Sequence, residues 1–236
     1  MRITTGKYKG RNVLMPKGIR PTQDKVRKAI FDILGDIEGL SFLELYAGSG
    51  AVGLEALSRG AADVLMVELN RDCQLAIRKN METFKTTACS LYPQEVEKAI
   101  LRLHKDKRSF DIIFLDPPYY KNMVPNLSPF LNGYRKGYPC GVKAPWHKGL
   151  PSASIVDGKV GVLLSATPGL IGKAVVPPSA AKKALQTLGA YDILSPNGLL
   201  VAQHFKRDDL PKQAGNLALI KEYRYGDTIL SIYRKA

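Results

Sequence analysis

Short apolar runs alternate with amphipathic stretches along most of the chain. The runs predict strands, near residues 42–47, 63–68, 88–92, 111–116 and 199–204. Stretches with apolar residues three or four positions apart predict helices, near residues 51–59, 71–84, 94–104 and 181–190. The last two apolar runs predict an antiparallel hairpin, made of residues 218–223 and 228–233. Because strands and helices alternate, the pattern predicts an α/β fold with helices on both faces of a mostly parallel sheet.

The N-terminal residues precede this alternation and predict an extension of the core. Residues 2–15 predict a β-hairpin with a glycine-flanked turn. Apolar positions on one face then predict a helix that begins at Thr22 or Gln23 and stops at Gly35. The extension is therefore a hairpin followed by a helix.

A glycine-rich loop joins the first predicted strand of the core to its first helix. Residues 47–53 are Ala-Gly-Ser-Gly-Ala-Val-Gly. A strand, a glycine loop and a helix form the context in which a G-x-G-x-x-G pattern predicts a ligand site. Gly48 and Gly50 would let the backbone approach the ligand closely.

Acidic residues accompany this loop on the first two core strands. Glu68 comes at the end of the second strand, where a carboxylate can accept hydrogen bonds from ribose hydroxyls. Glu44 lies inside the first strand, which is unusual for a nicotinamide-binding site. A carboxylate at this position suits a cationic ligand.

The fourth predicted strand ends in Asp116-Pro117-Pro118-Tyr119. Each proline fixes φ and removes an N–H donor, so this segment offers carbonyl acceptors with few competing donors. Asp116 adds a carboxylate acceptor, and Tyr119 adds a flat ring. Since ligands of open α/β sheets bind at this end of the strands, the segment predicts a site for a planar group with an exocyclic NH2.

This combination resembles the class I S-adenosylmethionine-dependent methyltransferases that methylate exocyclic amines. Further motifs narrow the resemblance to the RsmD family of bacterial 16S ribosomal RNA guanine-N2 methyltransferases. The matching motifs occur in order along the chain, at residues 6–11, 20–31, 45–50, 53–61 and 225–233. The resemblance covers residues 1 to about 120 and about 185 to 236.

The resemblance implies a Rossmann-like class I methyltransferase fold with an antiparallel C-terminal hairpin and an N-terminal hairpin and helix. The implied activity is N2-methylation of a guanine in 16S rRNA, of the guanine 966 type, during small-subunit assembly. The implied cofactor is S-adenosyl-L-methionine, and the implied partner is 16S rRNA or a 30S assembly intermediate. A monomer is expected.

Residue roles follow from the motifs and the resemblance together. Three expected catalytic residues would hold the target amine and its ring: Asp116, Pro117 and Tyr119. The expected cofactor-binding residues are Glu44, Tyr46, Gly48, Gly50, Glu68 and Glu95. The expected RNA contacts are Lys7, Arg11, Arg20 and Thr22. No metal is expected. Gln203 stands where the family commonly has Glu, so this chain has no acid at that position to perform the role of the family's Glu.

Positive charge is segregated along the chain. Of the net charge of +14, residues 1–35 carry +7 and residues 121–181 carry +6. Phosphate backbones attract such segments through counterion release. Glycine and proline fill sixteen of the 61 positions in the second segment. The chain thus predicts an RNA-facing part, residues 1–35, and a methyltransferase domain, residues 36–236, with a basic Gly/Pro-rich insertion at about 121–181.

Cysteine usage and hydropathy indicate a cytoplasmic protein with no membrane partner. Cys73, Cys89 and Cys140 are scattered and odd in number, which is typical of a reducing compartment. No apolar stretch reaches the length of a transmembrane helix.

Three alternatives stay open at this point. A DNA adenine-N6 methyltransferase would use the same acceptors, because adenine also presents an aromatic amine. A release-factor glutamine methyltransferase would more often have Asn in place of Asp116 and has less need of a basic N-terminus. A non-catalytic RNA-binding protein on the same fold is disfavoured, since the cofactor and amine-binding residues are both present.

Overall fold

The computed structural model describes residues 1–16, 18, 22–118 and 178–236, together with the backbone of residues 153–156 and 159–162. The chain divides into two compact units. One comprises Met1–Tyr119 with Ser179–Ala236, and the other comprises Tyr120–Pro178. Arg20, Tyr119 and most of the predicted insertion lie outside the described residues.

Ten strands are defined within the described residues. They are β1 (Ser41–Leu45), β2 (Asp63–Val67), β3 (Cys89–Tyr92), β4 (Phe110–Leu115), β5 (Ala153–Val156), β6 (Lys159–Val162), β7 (Leu194–Phe205), β8 (Gln213–Ala214), β9 (Leu217–Tyr225) and β10 (Thr228–Lys235). In the second unit, β5 and β6 pair antiparallel. The others form one sheet in the order β3-β2-β1-β4-β7-β10-β9-β8. Its pairs are parallel from β3 to β7 and antiparallel from β7 to β8, which confirms the predicted sheet.

Five helices are defined in the same part of the chain. They are α1 (Asp24–Leu34), α2 (Ala51–Ser58), α3 (Arg71–Phe84), α4 (Val96–Lys105) and α5 (Ala180–Ala190). Side chains of α1, α2 and α3 join one apolar cluster, and those of α4 and α5 join a second one. Since β1 gives Phe42 to the first cluster and Leu43 to the second, the central strand is buried on both faces. No helix in the described residues is long and apolar enough to cross a membrane.

Polar caps and a glycine set several helix ends. Gly35 follows α1 with φ of 72°, as the sequence predicts for a helix stop. The Asn70 side chain accepts the N–H groups of Asp72 and Cys73 at the start of α3. Ser179 caps α5 in the same way. These caps satisfy N–H groups that the helices themselves leave without partners.

The N-terminal hairpin is present as a chain reversal, but its arms pair less than the sequence predicts. Among residues 1–16, the antiparallel pairing is a single bridge between Arg2 and Asn12. The backbone N–H groups of Thr4 and Thr5 donate to the carboxylate of Glu55 on α2 instead. Competition from a buried carboxylate therefore shortens the ladder.

Glu55 joins the N-terminal segment, α1 and α2. Its buried carboxylate accepts the Thr4 hydroxyl at 2.6 Å and the Arg59 Nε at 3.2 Å. The buried Arg27 of α1 lies 3.7 Å from it and pairs with Asp24 at 2.9 Å. The segment before α1 is thereby tied to the helix that follows the glycine loop.

Replacing Glu55 with Ala is expected to lower the free energy of unfolding by about 3–5 kcal/mol, because Arg27 loses a buried ion-pair partner. Urea unfolding of the purified protein measures this change. Glu82→Ala on the exposed side of α3 is the control and should alter stability by less than about 0.5 kcal/mol. Equal effects of the two substitutions would contradict the joining role of Glu55.

Candidate functional site

The carboxyl ends of four parallel strands meet at one edge of the sheet. Leu45 at the end of β1 lies level with Val67 of β2 and with Leu115 of β4. Leu115 in turn lies level with Ala202 of β7. The residues that follow these positions therefore share the edge at which open α/β sheets bind ligands.

The loop between β1 and α2 turns sharply at this edge. Tyr46, Gly48 and Gly50 have φ values of 59°, 56° and 74°. This left-handed region favours glycine, because a side chain is strained there. A Cβ on Gly50 would also lie 2.6 Å from the Met66 Sδ, so the loop passes close to β2 only with glycine at this position.

Glu44 is a buried carboxylate beside the first turn of α2. Its Oε2 accepts the Gly53 N–H at 2.9 Å, and the Val52 N–H donates to the carboxylate as well. A Cβ on Gly53 would lie 2.7 Å from Oε2, so this third glycine lets α2 approach β1. Burial raises the pKa of Glu44 to about 8, although the two N–H groups lower it. The carboxylates of Asp116 and Glu68 add to the rise.

Glu68 follows β2 and organises the loop through its side chain. Its Oε2 accepts the Gly48 N–H at 2.7 Å, and its Oε1 accepts the Asn70 N–H at 2.7 Å. A carboxylate has about four lone-pair positions. Both oxygens therefore retain capacity to accept hydrogen bonds from ligand hydroxyls.

Asp116 follows β4 and contacts two segments that are remote in sequence. Its Oδ2 accepts a hydrogen bond from the Thr22 hydroxyl at 3.2 Å, and Gln203 on the neighbouring strand β7 lies beside it and lowers its pKa. Burial raises the pKa of Asp116 to about 7, while both side chains oppose the rise. Pro117, the next residue, is buried. The edge thus holds a carboxylate that changes charge near neutral pH.

The three acids at this edge make it suited to a cation that also carries hydroxyl groups. Asp116 and Glu68 both act electrostatically on Glu44. No Lys or Arg of the described chain forms an ion pair with any of the three. A bound cation would favour the ionised forms of these acids. Within the same residues, no group of three His, Cys, Asp or Glu side chains could hold a metal ion.

The other two predicted cofactor residues differ in their surroundings. The pKa of Tyr46 is raised by burial and then by the nearby acids Glu97 and Glu68. Glu95 precedes α4, is exposed and forms an ion pair of 3.1 Å with Lys98. Glu97, which the sequence analysis does not single out, is therefore the acid of α4 that acts on Tyr46, and the cofactor role of Glu95 stays a prediction.

The predicted RNA contacts are spread over the first unit. Thr22 lies at Asp116. Lys7 donates its backbone N–H to the last residue of α2 at 2.7 Å, and Arg11 donates to a carbonyl in the last turn of α3 at 3.2 Å. Both helices start at the site edge and run away from it, so Lys7 and Arg11 lie about a helix length, roughly 12 Å or more, from that edge. Arg20 is outside the described residues.

Asn80 on α3 joins two segments that the sequence analysis does not connect. Its Oδ1 accepts the Leu14 N–H at 2.8 Å, and its Nδ2 donates to the carbonyls of Leu14 and Ser49, each at 3.1 Å. The buried amide therefore links the N-terminal segment to the glycine loop. Its partners are 66 and 31 positions away, so no local pattern indicates them.

Substituting Glu44 by Gln is expected to change how stability depends on pH. Folded Glu44 keeps a proton up to about pH 8, whereas the unfolded chain releases it near 4.5. The stabilisation from this proton is therefore full below pH 4.5 and is lost as pH rises to 8, by at most about 1.4 kcal/mol per pH unit. The difference in unfolding free energy between cofactor-free wild type and Glu44→Gln should thus fall from pH 5 to pH 8.

Chemical unfolding at several pH values gives this difference directly. Glu82→Gln, at an exposed position, serves as the matched control. A difference between wild type and Glu44→Gln that does not vary with pH would show that Glu44 is not shifted by burial.

A family and several relatives share this sequence and fold. The family described as "Conserved hypothetical protein 95" matches residues 1–133, more than half of the chain. YlbH of Bacillus subtilis, whose name assigns rRNA methylation provisionally, is 28% identical over 240 residues, covering 100% of this chain and 99% of its own. Ribosomal RNA small subunit methyltransferase D of Haemophilus influenzae is 36% identical over 131 residues, which cover 52% of this chain and 66% of that protein.

A solved structure agrees with the fold. A hypothetical protein of Thermus thermophilus superposes with a TM-score of 0.66 at 22% identity, covering 100% of this chain and 99% of that one. The predicted Rossmann-like fold, a mostly parallel sheet with an antiparallel C-terminal hairpin, is therefore confirmed. The resemblance of the motifs to the RsmD family is confirmed too, and the chain belongs to the family described as "Conserved hypothetical protein 95".

Proposed function

We propose that the protein transfers a methyl group from S-adenosylmethionine to the exocyclic N2 of a guanine in 16S rRNA, of the guanine 966 type, during small-subunit assembly. The observation that carries this proposal is the meeting of Glu44, Glu68 and Asp116 at one strand edge beside a glycine loop. The comparisons support the rRNA substrate, because relatives of this chain are named as rRNA methyltransferases, one of them provisionally.

The acids beside the loop suit the groups of this methyl donor. Buried Glu44, which has no cationic partner in the described chain, would pair with the ammonium group. Glu68 would accept from the ribose hydroxyls through its remaining lone pairs. The other predicted contacts come from the loop and the start of α4: Tyr46, Gly48, Gly50 and Glu95. When bound, S-adenosylmethionine supplies an electrophilic methyl group on a sulfonium.

The segment after β4 suits the target amine. Asp116 and the carbonyl of Pro117 would accept hydrogen bonds from the two hydrogens of guanine N2. An aryl amine is a poor nucleophile, because its lone pair is delocalised into the ring. Two acceptors that favour a tetrahedral nitrogen localise that lone pair toward the methyl group. Tyr119, outside the described residues, would stack on the base once it has left its helix or loop.

The reaction is a direct displacement. Bound S-adenosylmethionine would supply the methyl group: the nitrogen lone pair would form the new N–C bond, and the electron pair of the broken methyl–sulfur bond would stay on sulfur. The nitrogen becomes cationic and acidic, and it releases one proton to solvent. Asp116 keeps accepting a hydrogen bond throughout, so neither a metal nor a strong base is needed.

Positive charge away from the edge would bind the RNA backbone. Residues 1–35 carry a net +7 and are tied to α2 through Glu55, so part of this charge has a fixed position. Lys7 and Arg11 would contact phosphates at a distance from the target base, which sets register without reading sequence. Arg20 and the basic insertion at about 121–181 would add contacts of the same kind.

Asp116→Ala is expected to lower methyl transfer about 100-fold or more, because one preorganised acceptor of the target amine is lost. Its affinity for S-adenosylmethionine should stay nearly unchanged. Activity of the wild type should rise with pH through about 7, since the ionised carboxylate is the acceptor. Transfer of a labelled methyl group to bacterial 16S rRNA or 30S subunits that lack guanine-N2 methylation measures the loss of activity and the pH dependence, and calorimetry measures the cofactor affinity.

Duplex DNA is the competing substrate in the same assay. Transfer to DNA in place of rRNA would overturn the proposal in favour of a DNA amine methyltransferase. Near-normal turnover by Asp116→Ala would remove Asp116 from the chemistry.

Glu68→Ala should weaken binding of S-adenosylmethionine by roughly 10- to 100-fold, because the ribose loses a charged acceptor worth about 1.5–3 kcal/mol. Isothermal titration calorimetry with the cofactor alone measures the affinity. Glu82→Ala should bind as the wild type does, since Glu82 lies on the exposed side of α3. Equal affinity of Glu68→Ala and wild type would place the ribose elsewhere.

A further inference from the structure

Asp116 is held by two neutral side chains from opposite ends of the chain. The Thr22 hydroxyl, just before α1, donates to Oδ2 at 3.2 Å. Gln203 follows Ala202, which lies level with Leu115, so its amide side chain is placed beside the same carboxylate and lowers its pKa. Asp116 also donates its own backbone N–H to Leu45 O at 3.4 Å, so its main chain follows β1.

We infer that Thr22 and Gln203 are positioning residues, which orient the Asp116 carboxylate toward the target amine and stabilise its anionic form. This inference rests on the proposed function, in which Asp116 accepts hydrogen bonds from that amine. Neither residue needs to touch the RNA for this role. They act on the reaction through the carboxylate.

No charged side chain among the described residues stabilises the Asp116 anion by an ion pair, so this stabilisation comes from the neutral side chains. From β1 the carboxylate of Glu44 lies close enough to interact with it. On α1, Asp24 is the acid nearest to Thr22 in sequence, and it forms an ion pair with Arg27. On β7 the imidazole of His204, next to Gln203, is bonded to the Phe205 carbonyl and the Ser231 hydroxyl. No Lys or Arg within the described ranges forms an ion pair with Asp116.

Neutral donors suit an acceptor that must stay basic. A lysine or arginine partner would hold the carboxylate ionised but would also weaken its attraction for the amine hydrogens. A hydroxyl and an amide occupy two of about four lone-pair positions and leave the others for the substrate. Burial raises the pKa of Asp116 to about 7, so losing either donor would move its ionisation to higher pH.

Isosteric substitutions separate this role from a structural one. Thr22→Val removes the hydroxyl at nearly constant volume, and Thr22→Ser keeps it as the matched control. Gln203→Met removes the amide from the other side and tests the inference independently of α1. Two quantities are measured in each variant: the titration of the Asp116 carboxyl carbon by ¹³C NMR without RNA, and the pH dependence of kcat on the rRNA substrate. Asp116→Asn assigns the NMR signal.

Thr22→Val and Gln203→Met should each move both the titration and the acidic limb of the kcat profile up by about one pH unit. Near pH 6 this means about a tenfold loss of kcat, and the loss should largely disappear at pH 9. Thr22→Ser should follow the wild type. Calorimetry with S-adenosylmethionine should give unchanged affinity in all three variants, which shows that the cofactor site is folded.

The outcomes distinguish this inference from the proposed function. If neither the titration nor the profile moves in Thr22→Val and Gln203→Met, or if kcat falls equally at every pH, the positioning role is overturned. If the carboxyl titration moves and the kcat profile does not, Thr22 and Gln203 do stabilise the anion, and the assignment of Asp116 to the target amine fails instead.

Discussion

The hydrogen bond from the Gly53 N–H to the buried Glu44 carboxylate is the contact on which the arrangement of the site depends. It brings the first turn of α2 against β1, at a distance that only glycine at position 53 allows. The partial positive charge of the helix N-terminus offsets part of the cost of burying the acid. With β1 and α2 fixed, few backbone conformations are available to the loop that joins them. Asp116 lies within electrostatic reach of the same carboxylate.

In the proposed function, the protein would bind two ligands of opposite charge, a cationic cofactor and a polyanionic RNA. The chain carries a net +14, yet the strand edge collects Glu44, Glu68 and Asp116 without a basic partner in the described residues. Glu68 and the ionised form of Asp116 would favour a cationic cofactor at this edge and would repel a polyanion. The basic N-terminal residues would attract the polyanion, and Glu55 holds the backbone of this segment at Thr4 and Thr5. On this proposal, the target base would approach the acids as a neutral ring, with its phosphates held elsewhere.

Local sequence could predict the strands, the glycine loop and the acids at the strand ends, because each depends on neighbours within a few positions. It could not predict contacts that chain folding alone creates. Asn80 meets residues 66 and 31 positions away, and Thr22 meets Asp116 across 94 positions. The shortened hairpin has the same origin, since its N–H groups bind Glu55 about fifty positions later. The sequence showed Gln203 only as a departure from a family pattern. Its proximity to Asp116 depends on the register between β7 and β4, which local sequence does not determine.

The two backbone hydrogen bonds of Glu68 have a consequence for the entropy of binding. The N–H groups of Gly48 and Asn70 fix both carboxylate oxygens before any ligand arrives. A free glutamate side chain loses up to about 2 kcal/mol of rotamer entropy when it is ordered, and here folding has already met that cost. Ligand hydroxyls that meet these oxygens would therefore bind an acceptor that is already immobilised, and no further ordering of this side chain would be subtracted from the affinity.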